Sequence, residues 1–333
     1  MNILVTGASG FIGGFIVEKA ISLGLNVFAA VRKSSSRKYL TDGKINFVEI
    51  DFTDSKILTE QLLKFKNIHG DIDFLIHNAG VTKVLSDGDY DKVNYVYTKN
   101  LVEAIINSKQ SIKKFVFVSS LAASGPGKEN TDIPIKLSDP LKPVTQYGRS
   151  KLKAEKYFQS LNNFPYVIMR PPAVFGPRDT DMYSVFKLIK NRLEVNIGGK
   201  LQYLSFIYVK DLAAALLEAA TCACKEKTYF ISDNKKYTNV VFSECIKSRM
   251  GVKTLVINLP MFLVKLVAFI SEKAGKITRK PSPLNVDKIN ELECGNWLCD
   301  ASDFYKDTGF KVQYSLEEGI DESINWYKKE NWL

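Results

Sequence analysis

A phenol and an ammonium lie four residues apart in Tyr147-Gly148-Arg149-Ser150-Lys151. On a helix, residues i and i+4 share a face, so both groups can point into one cleft. A free tyrosine titrates at about 10, too high for easy proton exchange at neutrality. A neighbouring cation favours the phenolate, which makes Tyr147 a candidate general acid or base. Upstream, an apolar strand ends in Ser119-Ser120. A hydroxyl at that strand end would bond the reacting oxygen and hold it beside Tyr147. Ser120 is the first choice, with Ser119 behind it.

The second constellation is Thr6-Gly7-Ala8-Ser9-Gly10-Phe11-Ile12-Gly13, a turn of the form TGxxGxxG. The apolar run Ile3-Leu4-Val5 precedes it and an amphipathic stretch from Phe15 to Leu23 follows. Strand, glycine turn and helix start together are the setting of a dinucleotide-binding fingerprint. Gly7 permits the tight turn, Gly10 lets backbone approach a pyrophosphate, and Gly13 lets the helix pack on the strand. N–H groups at the helix start, those of Phe11 and Ile12 among them, then face the phosphates. An oxidised nicotinamide near Tyr147 would add to the pull towards phenolate. The tyrosine motif is weak alone; its place a domain's length after the glycine turn gives it weight.

Further strands are expected at 26–31, 45–50, 73–77, 114–119 and 166–169, separated by helices at 54–65, 94–108 and 144–161. Such alternation predicts an α/β fold with a Rossmann-type, doubly wound parallel sheet and right-handed crossovers. The Rossmann domain should span 1–169, with the chain returning to the sheet at about 204–232. A smaller mixed α/β substrate lobe should take 170–203 and 233–314, and a C-terminal helix 315–333. Residues 170–178, with three prolines and a glycine, are expected to be irregular. Residues 120–145 should loop over the site, and 236–300 should be helix and loop.

The second strand ends in Val31-Arg32-Lys33-Ser34, with no acid to hold a ribose 2′-hydroxyl. Arg32 could instead hold a 2′-phosphate, so NADP is preferred to NAD.

The formal charge of +10 is scattered and mixed with acids, which argues against nucleic acid as a partner. Five cysteines without CxxC spacing and two histidines imply neither a disulfide framework nor a metal site. A first strand starting at residue 2 leaves no room for a signal peptide, so a cytoplasmic protein is expected. The apolar window Leu255–Ile270 is too short for stable membrane insertion; core, substrate lid and membrane contact all remain open for it. His77 should pack without chemistry. Arg178 could meet an anionic substrate or a surface carboxylate.

The sequence resembles the extended short-chain dehydrogenase/reductases of the NAD(P)-dependent epimerase/dehydratase superfamily. The likeness runs through TGASGFIGG at 6–14, Asp51, HNAG at 77–80, Asn94 and VSSLAASGP at 118–126. It continues through YGRSK at 147–151, RPPAVFGPRD at 170–179 and FIYVKDLA at 206–213. The resemblance implies that Asp51 and Phe52 flank the adenine and that Ala79 and Gly80 line the cofactor ribose. It also implies that Tyr147 and Lys151 grip the nicotinamide ribose, and that Pro171, Ala173 and Val174 border the nicotinamide. It assigns Ser120, Tyr147 and Lys151 to catalysis. A homodimer through helices at roughly 94–108 and 145–160 is implied as well.

Two departures bear on the substrate. Leu204-Ser205 stands where sugar-nucleotide enzymes often carry a diphosphate-binding arginine, and Pro171-Pro172 replaces a frequent asparagine. The chain is thereby closer to the dihydroflavonol-reductase and 3β-hydroxysteroid-dehydrogenase branch, which implies a small non-nucleotide alcohol or ketone. A sugar-nucleotide epimerase or dehydratase and a non-catalytic NADP-binding sensor are the alternatives.

Overall fold

The apolar run Asn2–Thr6 forms strand β1, in which Ile3, Leu4 and Val5 are fully buried, as a strand covered on both faces requires. A computed structural model describes residues 1–278, 282 and 285–333. It contains β2 (Asn26–Val31), β3 (Asn46–Glu49), β4 (Phe74–His77), β5 (Lys114–Val118) and β6 (Tyr166–Arg170). A seventh strand, Lys227–Phe230, pairs with β6 at the edge. From that edge the order is seventh strand, β6, β5, β4, β1, β2, β3. Every neighbouring pair is parallel. This is the expected doubly wound sheet. Its order reverses at β1 and β4, so a crevice opens beyond their carboxyl ends.

Alternation along each strand splits the core in two. Ile3, Val5, Val27 and Val116 face one side, where helices Phe11–Ser22 and Val209–Thr221 pack. Leu4, Phe28, Phe115 and Phe117 face the other, under helices Ser55–His69, Tyr97–Asn107 and Gln146–Gln159.

Three expectations need correction. The proline-rich stretch contains a strand, Ala173–Phe175, because each proline lies outside it and Phe206–Tyr208 supplies a parallel partner. For the same reason 206–208 does not rejoin the main sheet; only 227–230 does. The region 236–300 also holds strands. Leu255–Leu259 pairs in parallel with Leu193–Ile197, while Tyr237–Thr238 and Asn296–Trp297 flank Tyr203–Leu204. The apolar window therefore breaks at Pro260 into that strand and a helix, Met261–Thr278. The loop after β5 is pinned to this lobe by the Ile135–Cys299 bridge and by Asn296, whose Nδ2 donates to the Ile133 carbonyl at 2.9 Å. Among the described residues no helix is long and apolar enough to cross a membrane.

Candidate active site

The glycine turn is fixed by close approaches. Gly7 has φ +65°, and a Cβ there would lie 2.8 Å from the Ala79 nitrogen. A Cβ on Gly13 would lie 2.0 Å from the Gly7 carbonyl oxygen, so helix and turn touch as the fingerprint demands. No side chain caps the helix that starts at Phe11. Its first N–H groups are thus offered outward, which suits a pyrophosphate. A dinucleotide fits this cradle.

Beyond β4, Asn94 sits fully buried on a π-type turn before helix Tyr97–Asn107. Its amide accepts from Val81 N–H at 2.8 Å and donates to the Val81 carbonyl and the Ser150 hydroxyl, both at 3.0 Å. The segment after β4 is thereby tied to the Tyr147 helix. Gly80 lies between them, where a Cβ would come 3.1 Å from Lys151 Nζ.

Helix Gln146–Gln159 begins with the Thr145 hydroxyl accepting from Gly148 N–H at 2.9 Å. It places Tyr147 and Lys151 on one face, as their spacing predicts. Lys151 is buried; its ammonium donates to the Val118 carbonyl at 2.9 Å and lies 5.0 Å from the Phe117 ring centre. Burial brings its pKa down to about 8, against the upward pull of Glu155. Burial pushes the Tyr147 phenol up to about 12, and the one group pulling it down is the Ser120 hydroxyl facing it. Lys151 is not among the groups that shift the phenol; its ammonium is held at the end of β5 by the Val118 carbonyl.

Ser119 and Ser120 separate cleanly. Ser119 donates to the Glu155 carboxylate, which also holds Arg170 through Nε at 2.9 Å and through a second nitrogen at 2.5 Å. Arg170 in turn donates to the Ser124 hydroxyl at 3.0 Å. Ser120 is left facing Tyr147.

Sequence reasoning missed this buried network, although Glu155 stands one turn beyond Lys151 on the same helix. It also missed Asp287, whose carboxylate accepts from the N–H groups of Gln146 at 2.7 Å and Tyr147 at 3.3 Å. Asp287 belongs to helix Val286–Leu292 of the lobe, and no local pattern announces it.

The remaining residues follow the carboxyl ends of β2, β3 and β6. Arg32 is exposed in a turn after β2, where the Ser35 hydroxyl accepts from Arg32 N–H at 3.0 Å. Asp51 accepts twice from Thr53, which holds its carboxyl below the usual range. The Phe52 carbonyl accepts from Asn100 at 2.8 Å. The Pro171 carbonyl accepts from Leu121 N–H at 2.8 Å, and Ala173 and Val174 start the strand beyond it.

His77 is buried and neutral, with a pKa of about 3 set by burial and the Lys151 charge. Its ring bonds Thr6 at 2.7 Å and Thr98 at 2.9 Å, a packing role. Arg178 pairs with Glu18 at 2.7 Å and lies over the rings of Phe15 and Tyr39, which favours the carboxylate over a substrate.

The family model for the NAD dependent epimerase/dehydratase family matches residues 3–253. The chain belongs to this family. It is 26% identical to the UDP-glucose 4-epimerase of Vibrio cholerae, across 99% of this chain and 96% of that one. It is 23% identical to the ceramide reductase of Caulobacter vibrioides, across 99% and 96%. The fold matches the UDP-glucose 4-epimerase of Thermotoga maritima, solved with UDP-glucose, with a TM-score of 0.79 at 21% identity, covering 99% of this chain and 100% of that one. The protein is therefore an enzyme of the extended short-chain dehydrogenase/reductase type, in a family whose members include both epimerases and reductases.

Proposed function

We propose that this member is an NAD(P)-dependent oxidoreductase acting on a carbonyl or secondary alcohol of a small, non-nucleotide substrate. The observation that carries the reading is the Ser120–Tyr147 pair at the end of β5, with Lys151 one turn further along the same helix. A bound nicotinamide would supply or accept the hydride. With its phenol at about 12, Tyr147 is protonated at neutral pH, the form that donates to a carbonyl oxygen as hydride reaches the carbon. The phenolate left behind regains a proton from solvent. Ser120 bonds the same oxygen and fixes its distance from Tyr147.

In this reading Gly7, Gly10, Phe11, Ile12 and Gly13 hold the pyrophosphate, while Asp51 and Phe52 flank the adenine. Ala79, Gly80, Tyr147 and Lys151 hold the riboses, and Pro171, Ala173 and Val174 border the nicotinamide. The exposed Arg32, with no acid beside it on the turn, favours NADP over NAD.

The epimerase relative keeps a second reading alive, with NAD held tightly and a sugar nucleotide as substrate. Leu204-Ser205 argues against it: where a cationic diphosphate clamp would stand there is a buried neutral hydroxyl, which accepts from Cys299 N–H at 3.1 Å. A non-catalytic sensor would have no use for an intact Ser120, Tyr147 and Lys151.

The test is oxidation of NADPH and NADH with a panel of aliphatic and aromatic ketones, for wild type and Tyr147→Phe. Turnover with NADPH is expected, falling about 10²–10⁴-fold in the variant while the cofactor titration stays unchanged. A resident NAD surviving purification, with interconversion of sugar nucleotides and no ketone turnover, would overturn the reading.

A further inference from the structure

Helix Met261–Thr278 buries only a narrow stripe. Val264 and Ala268, one turn apart, pack on Ile289, Ile197 and Leu259. Among the described residues the opposite side is apolar and exposed: Phe262 is 69% exposed, Leu266 54%, Phe269 52% and Ile270 58%. With 3.6 residues per turn these four project away from the buried stripe. A helix apolar all round is one that is covered all round. Here the protein covers one side. The strand leading into it repeats the theme, with Leu255, Val256 and Ile257 exposed.

Exposed cations border this surface. Leu255 N–H donates to the Arg192 carbonyl at 2.8 Å, so Arg192 lies at one end of the paired strands, with Lys190 and Lys253 close in sequence. All three are exposed. At the other end Gly198 donates to the Leu259 carbonyl at 2.9 Å, and two residues on stands exposed Lys200. Lys273 is exposed with its ammonium 4.7 Å from the Phe269 ring centre, a posture from which it can reach outward. Nearby acids are engaged within the fold: Glu194 and Glu244 share Lys247, Glu293 pairs with Lys265, and Glu272 also has an interaction.

We propose that this strand and helix dock the enzyme on the surface of a bilayer that carries anionic lipid. The helix would lie in the interfacial plane, its apolar side in the acyl boundary and the cationic fringe on the headgroups. Charge decides between occupants. A second copy of this chain would set one cationic fringe against another, whereas an anionic bilayer satisfies both the apolar face and its rim. The segment also lies outside residues 3–253, the part matched to the family. Its inner side rests on helix Val286–Leu292, the helix whose Asp287 receives the N–H groups of Gln146 and Tyr147. The docked face is thus one helix away from Tyr147. The proposal does not depend on which substrate is reduced.

The test is co-sedimentation of the full-length protein with vesicles of phosphatidylcholine alone and of phosphatidylcholine mixed with phosphatidylglycerol. Wild type should pellet with the mixed vesicles, at least about tenfold more tightly than with phosphatidylcholine alone. The Phe262→Ser/Leu266→Ser/Phe269→Ser variant should lose at least about tenfold in partitioning while its melting and cofactor titration stay unchanged. Arg192→Glu/Lys253→Glu should lose the preference for anionic vesicles. Wild type left in the supernatant would overturn the proposal, as would an apolar variant that pellets like wild type. A wild-type dimer that the apolar variant splits, seen by light scattering, would name a second copy as the occupant and overturn it equally.

Discussion

Helix Gln146–Gln159 turns charge inward: Lys151 and Glu155 are buried there, with the Ser150 hydroxyl beside them, while its outer face is polar. Helix Met261–Thr278 turns apolar side chains outward, and its buried stripe is only small residues and a valine wide. Each departs from the usual division between core and surface, in opposite directions. The inward charges have dedicated partners in the fold, Arg170 for Glu155 and the Val118 carbonyl for Lys151. Holding a charge in low dielectric is costly, and chains keep such groups where chemistry uses them. Among the described residues the outward apolar side chains Phe262, Leu266 and Ile270 meet no comparable covering, which the proposed bilayer contact would supply. Position against type is therefore informative on both sides of the surface.

The comparison breaks most visibly at Glu155. Glu155→Ala leaves the Arg170 guanidinium buried without its carboxylate, and about 3–5 kcal/mol of stability should vanish in urea denaturation; a loss below about 1 kcal/mol would show that the inward charge is not held by this pair.

Lys151 gives a pH signature. Its folded pKa is lowered to about 8 from 10.5, so between those values the unfolded chain binds the proton more. Stability therefore rises with pH across that window, by at most about 1.4 kcal/mol per pH unit. Lys151→Met should flatten this rise, measured as the difference between variant and wild type in denaturation at successive pH values; parallel profiles would contradict the buried ammonium.

Asp287→Ala removes acceptors for two N–H groups at the start of the Tyr147 helix, a loss of about 1 kcal/mol. If the cap also aligns Tyr147, turnover should fall by more than KM rises. Smallest of all, Phe262→Ser alone should shift stability by no more than about 0.5 kcal/mol; a larger loss would mean that the outer face is covered within the fold.

Much of this was legible in the sequence because it is local. The glycine turn, the buried runs of β1, β2, β4, β5 and β6, and the four-residue spacing of Tyr147 and Lys151 each follow from periods within a few residues. The unread parts depend on partners far along the chain. Strand Ala173–Phe175 forms because 206–208 pairs with it, against the message of its flanking prolines. Asp287 caps a helix 140 residues earlier, and nothing near it says so. Ser119 and Ser120 look alike in sequence, and only the position of Glu155 separates them, taking Ser119 into the buried network and leaving Ser120 facing Tyr147. The window at 255–270 could not be resolved because apolar side chains read the same whether they face a core or a membrane.

The last strand of the sheet has a consequence for how the protein is made. β6 ends at Arg170, and its edge is closed only by Lys227–Phe230. About 60 residues separate them, roughly 3–12 s of synthesis at ordinary ribosomal speeds. Throughout that interval β6 presents unpaired backbone and apolar side chains, the template on which aggregation begins. Helix Phe11–Ser22 waits as well, since Val209–Thr221 packs against it. Contacts of such separation slow folding. Nascent chains stalled between Arg170 and Lys227 should therefore be the ones that chaperones hold longest.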